Sequence, residues 1–391
     1  MLYRRACCCA FAALLGVTSG RVAAQLAVEH TGAVLLPDAA TDQHGEPFAL
    51  TGLSGVTWLG GRSFAAVMDN SDKVVLFDLA LAADGSIESL SGVRGITLDR
   101  SGDLEGIARA GEGSVLIGDE RNTTVAEYAL ADGSLVRLLP VPAVYESRRN
   151  NRGLESLTFD PEMVWVANEE ALVPDGPRAS PEVGTTVRLL RVQPRTGAAL
   201  SQQVYLVEPM HGPRFPFGNP GQSGLTDLVA LPDGRLLALE RSLAFADPVF
   251  LTRIYELDFA SAGDVSHLDA LDGAEFTAVG KRLLYQGGHA NLEGLCLGPR
   301  LGASMHALVG VVDDGDPLST NTVVVFRLTG LEACPADTND DGQIDIEDLH
   351  HQHTHPEDLN GDGSTDARDS ACLVAYLRRH EWAHAMRPDN D

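Results

Sequence analysis

Apolar positions come in short runs for most of the chain, and turn residues separate the runs. KVVLFDL at Lys73–Leu79, SVLIGDE at Ser114–Glu120 and MVWVANE at Met163–Glu169 are examples, as are RLLALER at Arg235–Arg241, RIYELDF at Arg253–Phe259 and TVVVFRL at Thr322–Leu328. Their length and their Val, Leu, Ile and aromatic content predict β-strands. ADG at Ala83–Gly85 and Ala131–Gly133, and PDG at Pro232–Gly234, predict the turns. No long amphipathic helical period interrupts Leu26 to Leu331, so the pattern is all-β.

One phrase recurs within this pattern. It reads LSGVTW at Leu53–Trp58, DLEGIA at Asp103–Ala108, GLESLTF at Gly153–Phe159, GLTDLVAL at Gly224–Leu231 and NLEGLCL at Asn291–Leu297. Ser54, Glu105, Glu155, Thr226 and Glu293 align, about 50 to 70 residues apart. A second apolar run follows each copy and closes on polar residues: Asp69, Asp119-Glu120, Glu169-Glu170, Glu240-Arg241 and Asp313-Asp314. Repeats of this length, built from short strands, predict a β-propeller. Five cassettes are clear, and the two longer steps leave room for a sixth blade. The N-terminal run LAVEHTGAVLLP is placed to pair with the last blade and close the ring, which removes exposed sheet edges. Leu172–Val183 and Pro209–Ser223 read as loops over the channel mouth.

Equivalent positions of successive blades converge at one end of a propeller. Glu105, Glu155 and Glu293 form one set of acids; Asp69, Glu120, Glu169, Glu240 and Asp313 form another. Converging carboxylates suit Ca²⁺ or a similar divalent ion, which polarises a phosphoryl oxygen and acidifies water. Arg121, Arg241 and Arg253 are candidates to clamp phosphate oxygens bidentately. The competing reading makes the same acids caps of inter-blade turns. HGPRFP at His211–Pro216 imitates a phosphohistidine motif, but the leading Arg is Met210 and no His-Asp dipeptide follows. No GxSxG elbow is present either, which removes the usual serine-hydrolase signal.

Composition changes at about Glu332. Two 12-residue loops follow, with oxygen ligands at Asp337, Asn339, Asp341, Asp345 and Asp348, and at Asp358, Asn360, Asp362, Asp366 and Asp369. Gln343 and Ser364 offer backbone carbonyls, and Gly342 and Gly363 fall at the sharp turn. This spacing wraps oxygens around one Ca²⁺ per loop; an acidic tail without fixed structure is the alternative. His350, His351, His353 and His355 between the loops make either a zinc or nickel cluster or a solvated helix face.

The first 24 residues carry Arg4 and Arg5, an apolar core from Ala6 to Val17, and Val22-Ala23-Ala24 before Gln25. They predict a secretory signal, leaving a domain at 25–331 and a tail module at 332–391. Export permits a Cys334–Cys372 disulfide, with the pairing open, and leaves Cys296 as a buried small hydrophobe. The net charge of −26 argues against nucleic acid and anionic membrane as partners. No stretch is long and apolar enough to predict a transmembrane segment. The expected location is the periplasm, cell surface or medium.

The cassettes, taken in order with IGDER, NNRGLESLTF, NEEALVPDG, LLALER, NLEGLCLGP and VVDD, resemble the phytase-like, or esterase-like phytase, family of secreted bacterial proteins. The resemblance spans Leu53 to Leu328. It implies a propeller and hydrolysis of phosphate or related esters. The Asp at position 12 of each tail loop, the duplication and the C-terminal placement resemble a dockerin, an EF-hand-type module. That resemblance implies calcium-dependent folding and a cohesin-like or cell-surface partner. Two functions follow as expectations: a secreted metal-dependent phosphoesterase, or a non-catalytic propeller that binds a ligand or surface glycan and is tethered by its tail.

Overall fold

The structure, a computed structural model, describes residues 25–331 except Glu112, Pro161, Glu162, Asn219, Asp233 and Ala303. Beyond them it describes Thr338, residues 346–356, Ser370, Leu373 and Val374. The expected signal segment, Cys334, Cys372 and every predicted tail ligand except Asp348 lie outside the described residues.

Five four-stranded antiparallel sheets form a five-bladed β-propeller, which resolves the choice between five and six. Blade 1 comprises Leu53–Gly60, Ser63–Met68, Ser71–Leu81 and Ile87–Gly102. Blade 2 comprises Leu104–Gly111, Ser114–Asp119, Thr124–Ala129 and Leu135–Leu139. Blade 3 comprises Leu154–Asp160, Met163–Asn168, Thr185–Val192 and Ala199–Val207. Blade 4 comprises Gln222–Ala230, Leu236–Leu243, Phe250–Asp258 and Gly280–Gly287. Blade 5 takes Leu292–Gly302, Met305–Val312 and Thr322–Thr329, and its fourth strand is the N-terminal Ala27–Leu35, as the sequence predicts. The longer spacings come from long loops within blades 3 and 4, not from another blade.

Five apolar layers hold the ring, one between each pair of neighbouring blades. Alternation along a strand sends successive side chains to opposite faces. Val164 and Val166 pack against blade 2, while Trp165 and Ala167 pack against blade 4. A blade covered on both sides buries both faces of its middle strands, so those strands read as mostly apolar runs, whereas outer strands such as Leu135–Leu139 and Gly280–Gly287 stay part-exposed.

The first strand of each blade is innermost, and each packs against the innermost strands on either side. The recurrent phrase lies at the start of this strand. A β-bulge breaks the register there in every blade, between Leu53 and Val56, Leu104 and Ile107, Leu154 and Ser156, Leu225 and Asp227, and Leu292 and Gly294. Bulges re-aim side chains. They also bring neighbouring backbones close. A Cβ on Gly55 would lie 2.4 Å from Glu105 O, and one on Gly106 would lie 2.8 Å from Glu155 O. The corresponding residue of blade 4 is Asp227, whose carboxylate accepts Leu295 N of blade 5 at 2.8 Å. The residue after the aligned position is thus a contact between adjoining blades, which explains the glycines of the phrase.

An α-helix spans Ile346–Thr354 in the tail. Asp348 is buried there and accepts Thr338 N at 2.6 Å. No helix among the described residues is long and apolar enough to cross a membrane.

Candidate functional site

Two ring positions build the site. The first is the bulge residue of each innermost strand: Ser54, Glu105, Glu155, Thr226 and Glu293. The second is set by pairing with the next strand. Leu53 faces Met68, Leu104 faces Asp119, Leu154 faces Asn168, Leu225 faces Glu240 and Leu292 faces Val312. The residues that follow are Asp69, Glu120, Glu169, Arg241 and Asp313. In four blades their backbone N–H donates to the residue two before the bulge: Asp69 to Gly52, Glu120 to Asp103, Glu169 to Gly153 and Asp313 to Asn291. Both positions lie at the same end of the propeller, because the strands are antiparallel.

This register corrects the sequence alignment in blade 4. Arg241, not Glu240, takes the position of Asp69, Glu120, Glu169 and Asp313. A one-residue slip sends a strand side chain to the opposite face. Glu240 accordingly turns to the blade 3 contact, where it accepts Tyr205 Oη at 2.6 Å and Lys281 Nζ at 2.7 Å. Arg253 accompanies it, 3.8 Å from Glu240. Neither joins the other acids.

The ring is neutralised unevenly. Around blades 3 to 5, Arg241 is buried and pairs with Glu293 and, at 2.8 Å, with Glu169. Arg152 lies 3.1 Å from Glu169 and 3.2 Å from Glu170. Asn291 donates to Glu293 at 3.1 Å and to Asp313 at 2.9 Å. Around blades 1 to 3, among the described residues, no buried cation pairs directly with the acids, although Arg152 acts at longer range on Glu120 and Glu155, and Arg148 on Asp103. Oxygens of Asp69, Asp103 and Glu105 lie within 4.8 Å of one another, as do those of Glu105, Glu120 and Glu155. Glu105 accepts Ser54 Oγ, and Glu120 accepts Gly153 N at 2.5 Å. Asp103 is 8 % exposed, and its Oδ1 has no hydrogen-bond partner. Arg121 stands at the rim with a side chain 54 % exposed, 3.9 Å from Asp103 and bonded to Asn70.

Burial and mutual repulsion raise the pKa of Asp103, Glu105, Glu120, Glu155 and Glu293. Burial pushes Asp103 up to about 7, and the neighbouring Asp69 adds to the shift. Glu120 rises to about 7, chiefly by burial and then by Glu169 and Asp103, against the opposing bond from Gly153. Glu105 is pushed well above the carboxylate range by burial and then by Glu293 and Asp69, and Glu155 by burial and then by Glu105 and Glu169. Glu293 is also raised by burial, against the pull of Arg241. Carboxylates set this close and this dry repel one another, and a bound cation would relieve that repulsion. The donor set, all carboxylate oxygen, fits a hard divalent ion such as Ca²⁺.

A sequence profile described as phytase-like, "esterase-like activity of phytase", matches residues 49–316. The chain belongs to the phytase-like family. Its match covers the five cassettes and both ring positions. No curated protein sequence matches it. Solved structures similar to this phytase-like chain are remote. An endo-arabinase from Bacteroides thetaiotaomicron is 11 % identical, with 75 % of this chain and 93 % of that one covered and a TM-score of 0.40. An aldose sugar dehydrogenase from Streptomyces coelicolor is 14 % identical over 78 % of this chain and 99 % of that one, with a TM-score of 0.36. A regucalcin from Agrobacterium tumefaciens is 12 % identical over 77 % and 95 %, with a TM-score of 0.35.

Asp103, Asn291 and Arg152 are the site residues that sequence reasoning missed. Asp103 and Asn291 stand two positions before the bulge, where the other blades have glycine, and that offset was the available signal. Arg152 lies in a connection and carries no repeat signal.

Proposed function

We propose that this phytase-like propeller is an exported, divalent-cation-dependent hydrolase of phosphate or related esters. The observation that carries the reading is the asymmetry of the ring. Arg241 and Arg152 pair directly with the acids of one side, while Asp69, Asp103, Glu105, Glu120 and Glu155 share the other with no directly paired buried cation among the described residues. These five residues would supply the ligands for a bound cation. Bound there, a divalent cation polarises a phosphoryl oxygen and lowers the pKa of water. The chain's own groups have separate tasks. Arg121, exposed at the rim, binds and orients a phosphate oxygen of the substrate. Arg241 and Asn291 fix Glu293 and keep the channel wall rigid. Water adds to phosphorus, the ester P–O bond breaks, and the alcohol leaves with a proton.

The tail adds a calcium-binding, dockerin-like module at 332–391 that tethers the propeller to a cohesin-like or cell-surface partner. Its support is the ligand spacing of the two loops and the buried Asp348 bound to Thr338. The test of function uses p-nitrophenyl phosphate, bis-p-nitrophenyl phosphate, phytate and p-nitrophenyl acetate. Each is offered to the full chain in EDTA, then with calcium, magnesium, manganese or zinc restored. Turnover restored by a cation, and abolished by joint Glu105→Gln and Glu155→Gln substitution, is the expected result. Folded, cation-loaded protein that turns over none of the four would make it a ligand-binding propeller instead.

A further inference from the structure

We infer that the unneutralised side of the ring is a two-cation site in which Glu105 is the shared ligand. The inference rests on the cation-binding reading above and specifies its nuclearity. Its ground is how the five carboxylates are distributed. They do not close around one point. Asp69, Asp103 and Glu105 form one set of oxygens within 4.8 Å of each other; Glu105, Glu120 and Glu155 form a second; Glu105 alone belongs to both. As placed, the five residues do not all lie within 4.8 Å of one another, and the two sets do not merge into one. When three oxygens lie within 4.8 Å of one another, some point is within about 2.8 Å of all three, close to the 2.3–2.6 Å of a Ca–O bond. Small side-chain adjustments close that gap.

A second observation is independent of the clustering. Asp103 is 8 % exposed, and its Oδ1 has no hydrogen-bond donor. Leaving a buried carboxyl oxygen without a partner is costly, and a bound cation removes that cost. Asp103 belongs to the first set only, so this oxygen marks the first ion. The second set has its own mark: Glu155 accepts no hydrogen bond among the described residues, while Glu120 accepts only Gly153 N at its Oε1.

Charge agrees with the count. Five carboxylates carry a formal charge of about −5, and two divalent ions bring +4, whereas one leaves a large excess in a dry channel wall. Arg121 is mostly exposed and 3.9 Å from Asp103, so it does not fill the deficit. The opposite side shows what sufficient charge looks like: Glu169, Glu293 and Asp313 share Arg241, Arg152 and Asn291. The chemical consequence is a pair of adjacent cations, the arrangement that clamps both the attacking and the leaving oxygen of an in-line displacement at phosphorus.

The test counts bound calcium in the full chain after equilibrium dialysis at one free calcium concentration that saturates the wild type. Wild type is compared with Asp103→Asn, Glu120→Gln and Glu105→Gln. Any calcium in the tail is common to all four and cancels in the differences. The expected losses are one ion for Asp103→Asn, one for Glu120→Gln and two for Glu105→Gln. Loss of one ion in every variant overturns the pair and leaves a single-cation site. No loss in any variant overturns both readings. If Glu105→Gln fails to fold, the Asp103→Asn/Glu120→Gln double variant answers the question: it loses two ions from a paired site and one from a single site. Manganese-loaded protein supplies a second readout, because bridged Mn²⁺ ions give a magnetically coupled EPR spectrum that Glu105→Gln abolishes. An uncoupled spectrum in the wild type overturns the bridge.

Discussion

Replacing Glu120 by Gln should make the protein more stable without calcium and less responsive to it. Glu120 is 1 % exposed, and burial lifts it from an ordinary 4.5 to about 7. The sign follows from linkage. Below about pH 4.5 Glu120 is protonated in both the folded and unfolded states, and substitution changes little. Between about 4.5 and 7 the unfolded chain releases the proton and the folded chain keeps it, so wild-type stability falls as pH rises. Above about 7 the folded protein carries an ionised, buried carboxylate, and the loss is complete. A shift of this size corresponds to about 3 kcal/mol at about 1.4 kcal/mol per pH unit. Gln keeps an oxygen for the Gly153 N–H bond of 2.5 Å and cannot ionise. The assay is urea unfolding followed by Trp58 and Trp165 fluorescence, in EDTA, at pH 4.5, 6 and 8. The variant's advantage should grow from near zero to about 3 kcal/mol across that range. Saturating calcium should then restore about 2.7 kcal/mol or more to the wild type at a hundredfold excess over Kd, and less to the variant. A pH-independent difference, or an unchanged calcium response, refutes the reasoning.

Three further outcomes follow from other contacts. Arg241→Met leaves Glu293 without its guanidinium and Glu169 with Arg152 alone, so chemical denaturation should show a loss of about 3–5 kcal/mol; a loss below about 1 kcal/mol would show that the pair contributes nothing net. Gly106→Ala places a Cβ 2.7 Å from Leu157 N and 2.8 Å from Glu155 O, so thermal melting should drop sharply or soluble protein should be lost, whereas Gly111→Ala, whose Cβ meets only Ser114 Oγ at 3.9 Å, should cost far less. Removing residues 27–35 strips the outer strand of blade 5 and exposes the Thr322–Thr329 edge; limited proteolysis should then cut blade 5 first, and size-exclusion chromatography should show association.

The apolar runs carried most of the fold. Their length, their spacing and the closing N-terminal strand were legible because each blade is covered on both faces, which makes the middle strands mostly apolar. The phrase around Glu105 was legible for a related reason: its glycines are imposed by close approach of adjoining backbones, as at Gly55 and Gly106. Family membership was readable too, since those constraints repeat in order. The blade count was not, because a long loop and a missing blade add the same number of residues.

The site was only half readable. Sequence placed Glu105, Glu155 and Glu293 together, and with them Asp69, Glu120, Glu169 and Asp313. It misplaced Glu240 because a bulge shifts the pairing of Leu225, and pairing alone decides which of Glu240 and Arg241 faces the ring. It could not divide the acids into a neutralised side and a bare side. That division depends on Arg241 reaching Glu169 from one blade and Glu293 from another, and on Arg152 arriving from a connection with no repeat signal. Repeats fix what every blade shares, since local backbone geometry is the same in each. Charge balance is a property of the closed ring, where residues far apart in the chain come within ion-pair distance, and only tertiary structure decides it.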